Sequence, residues 1–465
     1  MTNLNKHIVI TLLAKGAAVH FHRKPLLDAL HHAGYQITFL CNAGLVDGLN
    51  KRKDCNYVEL DLVMSATGLR AWIIGVIQSV RSYYPMSVPA VRRRHQIINA
   101  SNASFADICR FRIPAFLASF RPVVLCLMKL EQLLVKPCVK CRSIESLKPD
   151  VVLTGGIGHI RTLEDGYLTI YCRARHIPVL STVINYDILS AKGFRGCDVD
   201  ALLVWGNTMG NDALTLQAMS PSVIKKVGAF RYNTLPALQD KTSFCSSQGL
   251  DPQHPILYFC GGVFPVHYFD MIELYKRLKS DCPDAQLVIR PYPSKHFLES
   301  ASFKAIQRIA DDEASITFNH SMTNMQESES KEFLDLEEDC YWNYLKHSSV
   351  ILHYFSSVAI DSLLFNKSSV CVAYRSDHVS FLDPEIASTV MPIYIHHQRA
   401  NTYGVIDYVA SADEAYRAVM KRMKGEDDAG HLDDMVQDEV GPLSENGADA
   451  IVGLINSFVT KKEGA

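Results

Sequence analysis

Three short segments in the second half of the chain carry groups suited to gripping a phosphate. Gly261-Gly262 follow the apolar run Ile256–Cys260 and precede a helical pattern, so bare backbone N–H groups and a helix start could face an anion. Arg290 closes a second apolar run, 285–290, just before Pro291 and Pro293 stiffen the chain. A guanidinium held there offers a bidentate grip on a diphosphate. Ser356-Ser357 follow a third run, 349–354, and open a helical stretch over 359–365. One hydroxyl can cap that helix while the other takes phosphate. Asp361 lies one helical turn beyond Ser357, where a carboxylate can accept from a sugar hydroxyl. Taken singly, these are also a tight turn, a structural ion pair and a capped helix. Three phosphate-suited loops at strand ends of one domain point further, to a nucleotide site, because ligands of open parallel sheets bind beyond the carboxyl ends of the strands.

The first half offers candidates of another kind. Gly16 and His20 follow the apolar run 7–13, while Gly155, Gly156 and His159 follow the run 150–154. Glu164 and Asp165 come a turn or so later, and Asp187 follows the run 178–183. A His or carboxylate in such a loop can act as general base toward a hydroxyl. The order of preference is His159, His20, Glu164 and Asp187. Asp198-Val199-Asp200 has a spacing that can hold a divalent ion, but it precedes the strand 201–205 and so sits at the wrong end of the sheet; it reads as structural. Cys138 and Cys141 form a lone C-x-x-C among 13 cysteines with no second pair downstream. A tetrahedral zinc site needs four ligands, so these read as structural thiols in a reducing compartment. No metal is expected.

The elements that must position these residues alternate. Apolar runs at 7–13, 36–41, 150–154, 178–183 and 201–205 read as strands, and helical spacing appears at 22–33 and 163–175. The second half repeats the alternation with strands at 256–260, 285–290, 349–354 and 369–374 and a helix at 269–280. Alternation of this sort implies an α/β protein with two Rossmann-like parallel-sheet domains. The expected division is a first domain at 1–238, a linker at 239–255, a second domain at 256–425, and an acidic loop with a terminal helix at 426–465. That last segment is expected to pack back on the first domain.

Of the 465 residues, 48% are hydrophobic, enough for real cores, and the net charge is only −2. That total conceals opposed patches. Residues 64–148 hold 13 Lys/Arg against three Asp/Glu, whereas 311–339 and 426–439 are strongly acidic. The basic window reads as a helical insertion in the first domain. It suits an anionic membrane surface or lipid diphosphate, or else is solvated and paired with the acidic loops. Nucleic acid is not expected, since no recognition motif accompanies the charge. The apolar segment 114–134 is interrupted by Arg121, Pro122, Lys129 and Glu131, so it should not span a bilayer. The first fifteen residues read as the approach to a strand rather than a signal peptide. The expected location is cytoplasmic, with peripheral contact at the inner membrane.

The segments ILYFCGGVFPVHYFD, LVIRPYPS and VILHYFSSVAIDSLLFNKSSVCVAY, with VWGNTM and KKVGAFRYN, resemble GT-B glycosyltransferases. The likeness is to bacterial surface-polysaccharide enzymes near the CDP-glycerol glycerophosphotransferases and to the UDP-N-acetylglucosamine 2-epimerase fold. It extends over roughly 150–375, and the terminal SENGADAIVGLI resembles the last helix of such enzymes. It departs at Tyr292, where relatives commonly carry His, and at His353-Tyr354, where a Thr-Asp pair is common. The resemblance implies a nucleotide-sugar or a CDP- or CMP-activated donor held by the second domain. It implies a glycan or lipid-linked acceptor held by the first, reaction in the cleft between them, and no metal. The activity it implies is transfer of a glycosyl or polyol-phosphate group to a bacterial surface polysaccharide such as capsule or lipopolysaccharide. A sugar-nucleotide epimerase or hydrolase, and a non-catalytic glycan- or nucleotide-binding subunit, remain alternatives.

Overall fold

The computed structural model describes residues 6–13, 21, 24–42, 51–85, 104–229, 232, 235, 238–262, 265–292, 295–319, 340–372, 395–426, 431–441 and 447–463. Gly16 and His20, Arg92 to Arg94, residues 320–339 of the first acidic stretch and 427–430 of the second lie outside these residues. The chain divides into two units, one of residues 1–234 with 437–465 and the other of residues 235–436.

The first unit is built on β1 (Lys6–Leu12), β2 (Tyr35–Cys41), β3 (Asn56–Glu59), β6 (Val151–Thr154), β7 (Val179–Thr182), β8 (Ala201–Val204) and β9 (Ile224–Lys226). Their order across the sheet is β3-β2-β1-β6-β7-β8-β9, and every neighbouring pair is parallel. Counted within the sheet, that is the doubly wound order, with its reversal between β1 and β6. The central strands are near-continuous apolar runs because helices cover both faces. Among those helices are α1 (Lys24–His32) and α5 (Leu163–Arg173).

A short antiparallel ribbon, β4 (Leu62–Met64) with β5 (Val139–Cys141), closes the base of the basic insertion. Between its strands run α2 (Gly68–Ser82), α3 (Phe105–Ala118) and α4 (Arg121–Val135). Pro122 starts α4 rather than interrupting it, as expected where the missing N–H costs nothing. The chain bends by 103° between the helical segments 109–118 and 121–138, and among the described residues no single helix is long and apolar enough to cross a membrane. Cys138 and Cys141 flank the ribbon as free thiols, with Arg70 Nη1 donating to Cys138 Sγ at 3.2 Å.

The second unit repeats the scheme with β10 (Ile256–Cys260), β11 (Gln286–Arg290), β12 (Ile316–Phe318), β13 (Val350–His353), β14 (Ser369–Val372) and β15 (Ile406–Val409). These are ordered β12-β11-β10-β13-β14-β15, again all parallel and doubly wound, with the reversal between β10 and β13. Two expectations about boundaries need correction. The stretch 239–255 is not free linker: α6 (Lys241–Ser247) lies in it. Asp251 and Gln286 also exchange two hydrogen bonds that tie it to β11. Residues 426–436 stay with the second unit, and the chain rejoins the first only at Gln437. There α9 (Gly447–Glu463) buries Ile451, Ile455 and Val459 in the same core as Leu26, Leu27 and Leu30 of α1. Asn456 accepts from Tyr35 Oη at 2.9 Å, which fixes the register of that helix.

Candidate functional site

In the second unit the loops after β10, β11 and β13 lie at adjacent strand carboxyl ends around the reversal point. Their local chemistry explains each residue. Gly261 donates its N–H to the Arg290 carbonyl at 3.0 Å, so that N–H is committed to holding two strand ends together. A Cβ on Gly261 would sit 2.3 Å from the Tyr268 ring. The glycine is therefore required for Tyr268 to cross beneath it, which corrects the reading of Gly261 as a phosphate donor. Tyr268, on α7 (Val266–Lys279), donates its hydroxyl to the Gly262 carbonyl and accepts from the Tyr292 N–H, each at 2.9 Å. It braces the loop after β10 against the loop after β11. Gly262 itself has ordinary clearance, its nearest neighbours being Tyr354 and His267.

Arg290 is half-buried, with its guanidinium over the Tyr341 ring at 4.7 Å from the centroid. Tyr341 in turn donates its hydroxyl to Asp361 Oδ2 at 2.6 Å, and Asp361 is buried. So the first task of Asp361 is to fix the ring on which Arg290 rests. A direct contact with a sugar hydroxyl is not its visible role. Nothing in the residue types around Tyr341 marked it beforehand, because its partners lie about fifty residues upstream and about twenty downstream.

The Ser-Ser loop has a neutral histidine beneath it. His353 Nδ1 accepts from the Ser356 N–H at 3.4 Å, which leaves Nε2 to carry the proton toward Ser369 Oγ at 3.1 Å. Burial pushes His353 down to about 3. Phe355 adopts φ +41, a conformation unusual for a bulky residue, and packs its ring edgewise on His397 at 4.8 Å. Strain of this sort persists only where surroundings enforce it, and it turns the next two serines sharply off the strand. Ser356 Oγ accepts from the Val358 N–H, whereas Ser357 makes no side-chain cap bond. The expected helix at 359–365 is only a four-residue α8 (Val358–Asp361) running into a 3-10 turn, so little macrodipole stands behind the loop.

In the first unit the glycine loop after β6 is closed by its own packing. The Gly155 N–H donates to Thr11 Oγ1, and a Cβ on Gly156 would lie 2.6 Å from Thr162. Gly158, at φ +75, packs on the bare backbones of Gly166 and Gly196. His159 is enclosed, and burial together with the charges of Arg81, Lys192 and Arg195 pushes it down to about 3. An enclosed imidazole whose basicity is lowered by burial is poorly placed to take a proton from a bound hydroxyl. Glu164 is exposed, and its Oε2 accepts from Asn42 Nδ2. That amide also donates to the Leu13 carbonyl, so the carboxylate is held over the ends of β1 and β2. Asp187 pairs through Oδ2 with Lys192 at 2.6 Å and keeps Oδ1 unengaged. Asp165 accepts from Thr11 Oγ1 at 2.7 Å, and burial pushes it up to about 7.

Neither carboxylate of the D-x-D is open. Asp198 pairs with Arg195 and Lys129, and Asp200 accepts from the Val179 N–H and pairs with Arg173. His31, Asp54 and Cys55 have metal-like spacing, but Arg52 occupies both oxygens of Asp54. This corner also sits at the amino end of β3, whereas the candidate loops lie at strand carboxyl ends.

The buried titrating groups fix a pH dependence. His159, His267 and His353 each have a folded value of about 3 against an ordinary 6.5. Their contribution to stability is complete above 6.5 and is lost as pH falls toward 3. Asp165 has the opposite sign: its contribution is complete below 3.8 and is lost as pH rises through 7. Three groups against one should make the denaturation midpoint fall as pH drops below about 6.5. Asp165→Asn should steepen that acid limb and raise stability above pH 7, as read by urea titration at a series of pH values.

No protein-family model matches the chain, and no curated protein matches it in sequence. Its structure does match solved ones. The S. aureus MnaA structure with UDP aligns with TM-score 0.52 at 12% identity, covering 98% of this chain and 97% of that one. The Neisseria meningitidis UDP-GlcNAc 2-epimerase bound to UDP-GlcNAc aligns with TM-score 0.52 at 11% identity, covering 97% and 100%. The wall teichoic acid polymerase TagF aligns with TM-score 0.51 at 8% identity, covering 99% and 90%. At such identities the likeness is one of architecture, and it extends over nearly the whole of each chain: two doubly wound parallel sheets make this a GT-B fold.

Proposed function

We propose that this protein is an enzyme acting on a nucleotide-activated donor, and that it transfers a glycosyl or polyol-phosphate group to a surface glycan or lipid-linked acceptor. The observation that carries this reading is the cluster at the reversal point of the second sheet. Arg290 rests on Tyr341, and Gly262, Ser356 and Ser357 occupy the adjacent strand ends. In this reading Arg290 and the serine loop hold the diphosphate and stabilise the charge on the leaving group. Gly261 makes room for the Tyr268 brace, and Asp361 positions Arg290 through Tyr341. The acceptor hydroxyl loses its proton to a carboxylate of the first unit: Glu164 is exposed, whereas the unengaged Oδ1 of Asp187 is as enclosed as the ring nitrogens of His159. The solved structures with UDP and UDP-GlcNAc on this fold support a nucleotide-sugar donor.

A second reading, epimerisation of the donor's sugar, is favoured by the number of UDP-GlcNAc 2-epimerases among the similar structures. The two separate in one experiment. Purified protein is incubated with UDP-, CDP-, GDP- and CMP-activated donors, with and without lipid-linked acceptors. Nucleotide release that requires acceptor supports transfer, while conversion of donor without acceptor supports epimerisation or hydrolysis. Binding without turnover would indicate a carrier subunit, and no binding of any nucleotide would sink the proposal.

A further inference from the structure

The basic insertion has apolar side chains on two sides. Its inner side is an ordinary core: Ile74, Ile77 and Val80 of α2 are buried, as are Val124, Met128 and Val135 of α4. Among the described residues, the outer side carries exposed apolar groups. Leu69, Trp72 and Val76 recur at helical spacing on the exposed face of α2, and Ile113 and Phe116 do so on α3. Leu130 and Leu133 do so on α4. Among the described residues outside 63–133, no large apolar side chain is more than 40% exposed. Single exposed apolar groups are commonplace, but a concentration on three adjacent helices marks a contact surface.

The charge around it selects the partner. Arg110, Arg112, Arg121, Lys136 and Lys140 are exposed on or beside these helices. The three helices contain only two acidic residues, and one of them, Glu131, is buried against Arg81. The surface therefore presents cations interleaved with Leu, Trp and Phe, with almost nothing to repel an anion. Helices of this composition lie in the interface of an anionic bilayer, apolar groups among the acyl chains and basic groups at the headgroups. None is long enough to cross, and the 103° bend between the segments 109–118 and 121–138 suits helices lying on a surface.

We propose that the outward faces of α2, α3 and α4 dock this protein on an anionic lipid bilayer. The proposal uses no residue of the second unit, so it stands or falls separately from the nucleotide site. It also accounts for an insertion in which 13 Lys/Arg face only three Asp/Glu within a chain of net charge −2.

The chain carries its own probe. Trp72 is 65% exposed, whereas Trp205 and Trp342 are 2% and 0% exposed, so a change in tryptophan emission on adding vesicles reports Trp72. Full-length protein is mixed with vesicles of phosphatidylcholine alone or of phosphatidylcholine with phosphatidylglycerol. The expected result is a blue shift and co-sedimentation with the anionic vesicles, weakened several-fold by raised salt. Leu69→Ser/Phe116→Ser, at exposed positions that leave the core intact, should lower sedimentation by about tenfold or more. Trp72→Phe should bind while abolishing the shift. Absence of both shift and sedimentation would overturn the proposal, as would a serine variant that binds like the parent. A chain that self-associates through Leu69 and Phe116 and ignores vesicles would overturn it in favour of a second copy.

Discussion

Glu131→Ala is expected to destabilise the first unit by about 3–5 kcal/mol, the cost of stranding a buried charge. Arg81 is wholly buried, and its Nε and Nη2 donate to the two Glu131 oxygens at 2.6 and 3.1 Å. Its Nη1 donates to the carbonyls of Gly158 and Phe194 at 3.1 and 2.7 Å. Gln78 completes the carboxylate's shell at 2.9 Å. The cluster joins two insertion helices to the loop after β6, so its loss should be felt at the strand ends as well as in the insertion. A buried ion pair can often be replaced by apolar residues of like volume at little cost. Here that remedy should fail. Arg81→Met/Glu131→Leu removes both charges but orphans two buried carbonyls, each worth about 1–3 kcal/mol. Chemical denaturation of both variants decides the matter. If the double variant is as stable as the parent, the Arg81 bonds to the loop carbonyls contribute nothing.

Arg290→Ala is expected to weaken donor-nucleotide binding by about 10- to 100-fold, the size of a lost charge-assisted hydrogen bond to phosphate. The side chain is half-buried on the Tyr341 ring, so the guanidinium is already aimed before ligand arrives, and little ordering cost is left on binding. Arg290→Lys keeps the charge but loses the planar fork and the stacking, and should fall between the two. Tyr341→Phe retains the ring but removes the bond to Asp361, and should reduce affinity less than Arg290→Ala does. Calorimetric titration with nucleoside diphosphates reads all three. Unchanged affinity in Arg290→Ala would remove this residue from the site.

The doubly wound strands at the centre of each sheet were legible in the residue order because they are buried on both faces and so written as apolar runs. Their neighbours were not. Ile316–Phe318 and Ile224–Lys226 are three residues long, and Asn56–Glu59 is only partly buried, so neither length nor alternation distinguishes them from loop. They become strands because a finished edge offers them hydrogen bonds. The same division holds at the site. That Arg290, Ser356 and Ser357 stand at or just beyond strand ends was readable from their places after apolar runs.

The work of each group was decided by partners distant in the chain. Gly261 is glycine because Tyr268 crosses it, and Asp361 is engaged with Tyr341. His159, the first choice for a base, is enclosed beside Arg81, a residue 78 positions earlier. Residue type and spacing therefore determined which segments reach the strand ends and what charge they bring. Only the tertiary structure determined which of those groups are already spent on one another, because burial and hydrogen-bond commitment depend on the neighbours that folding supplies.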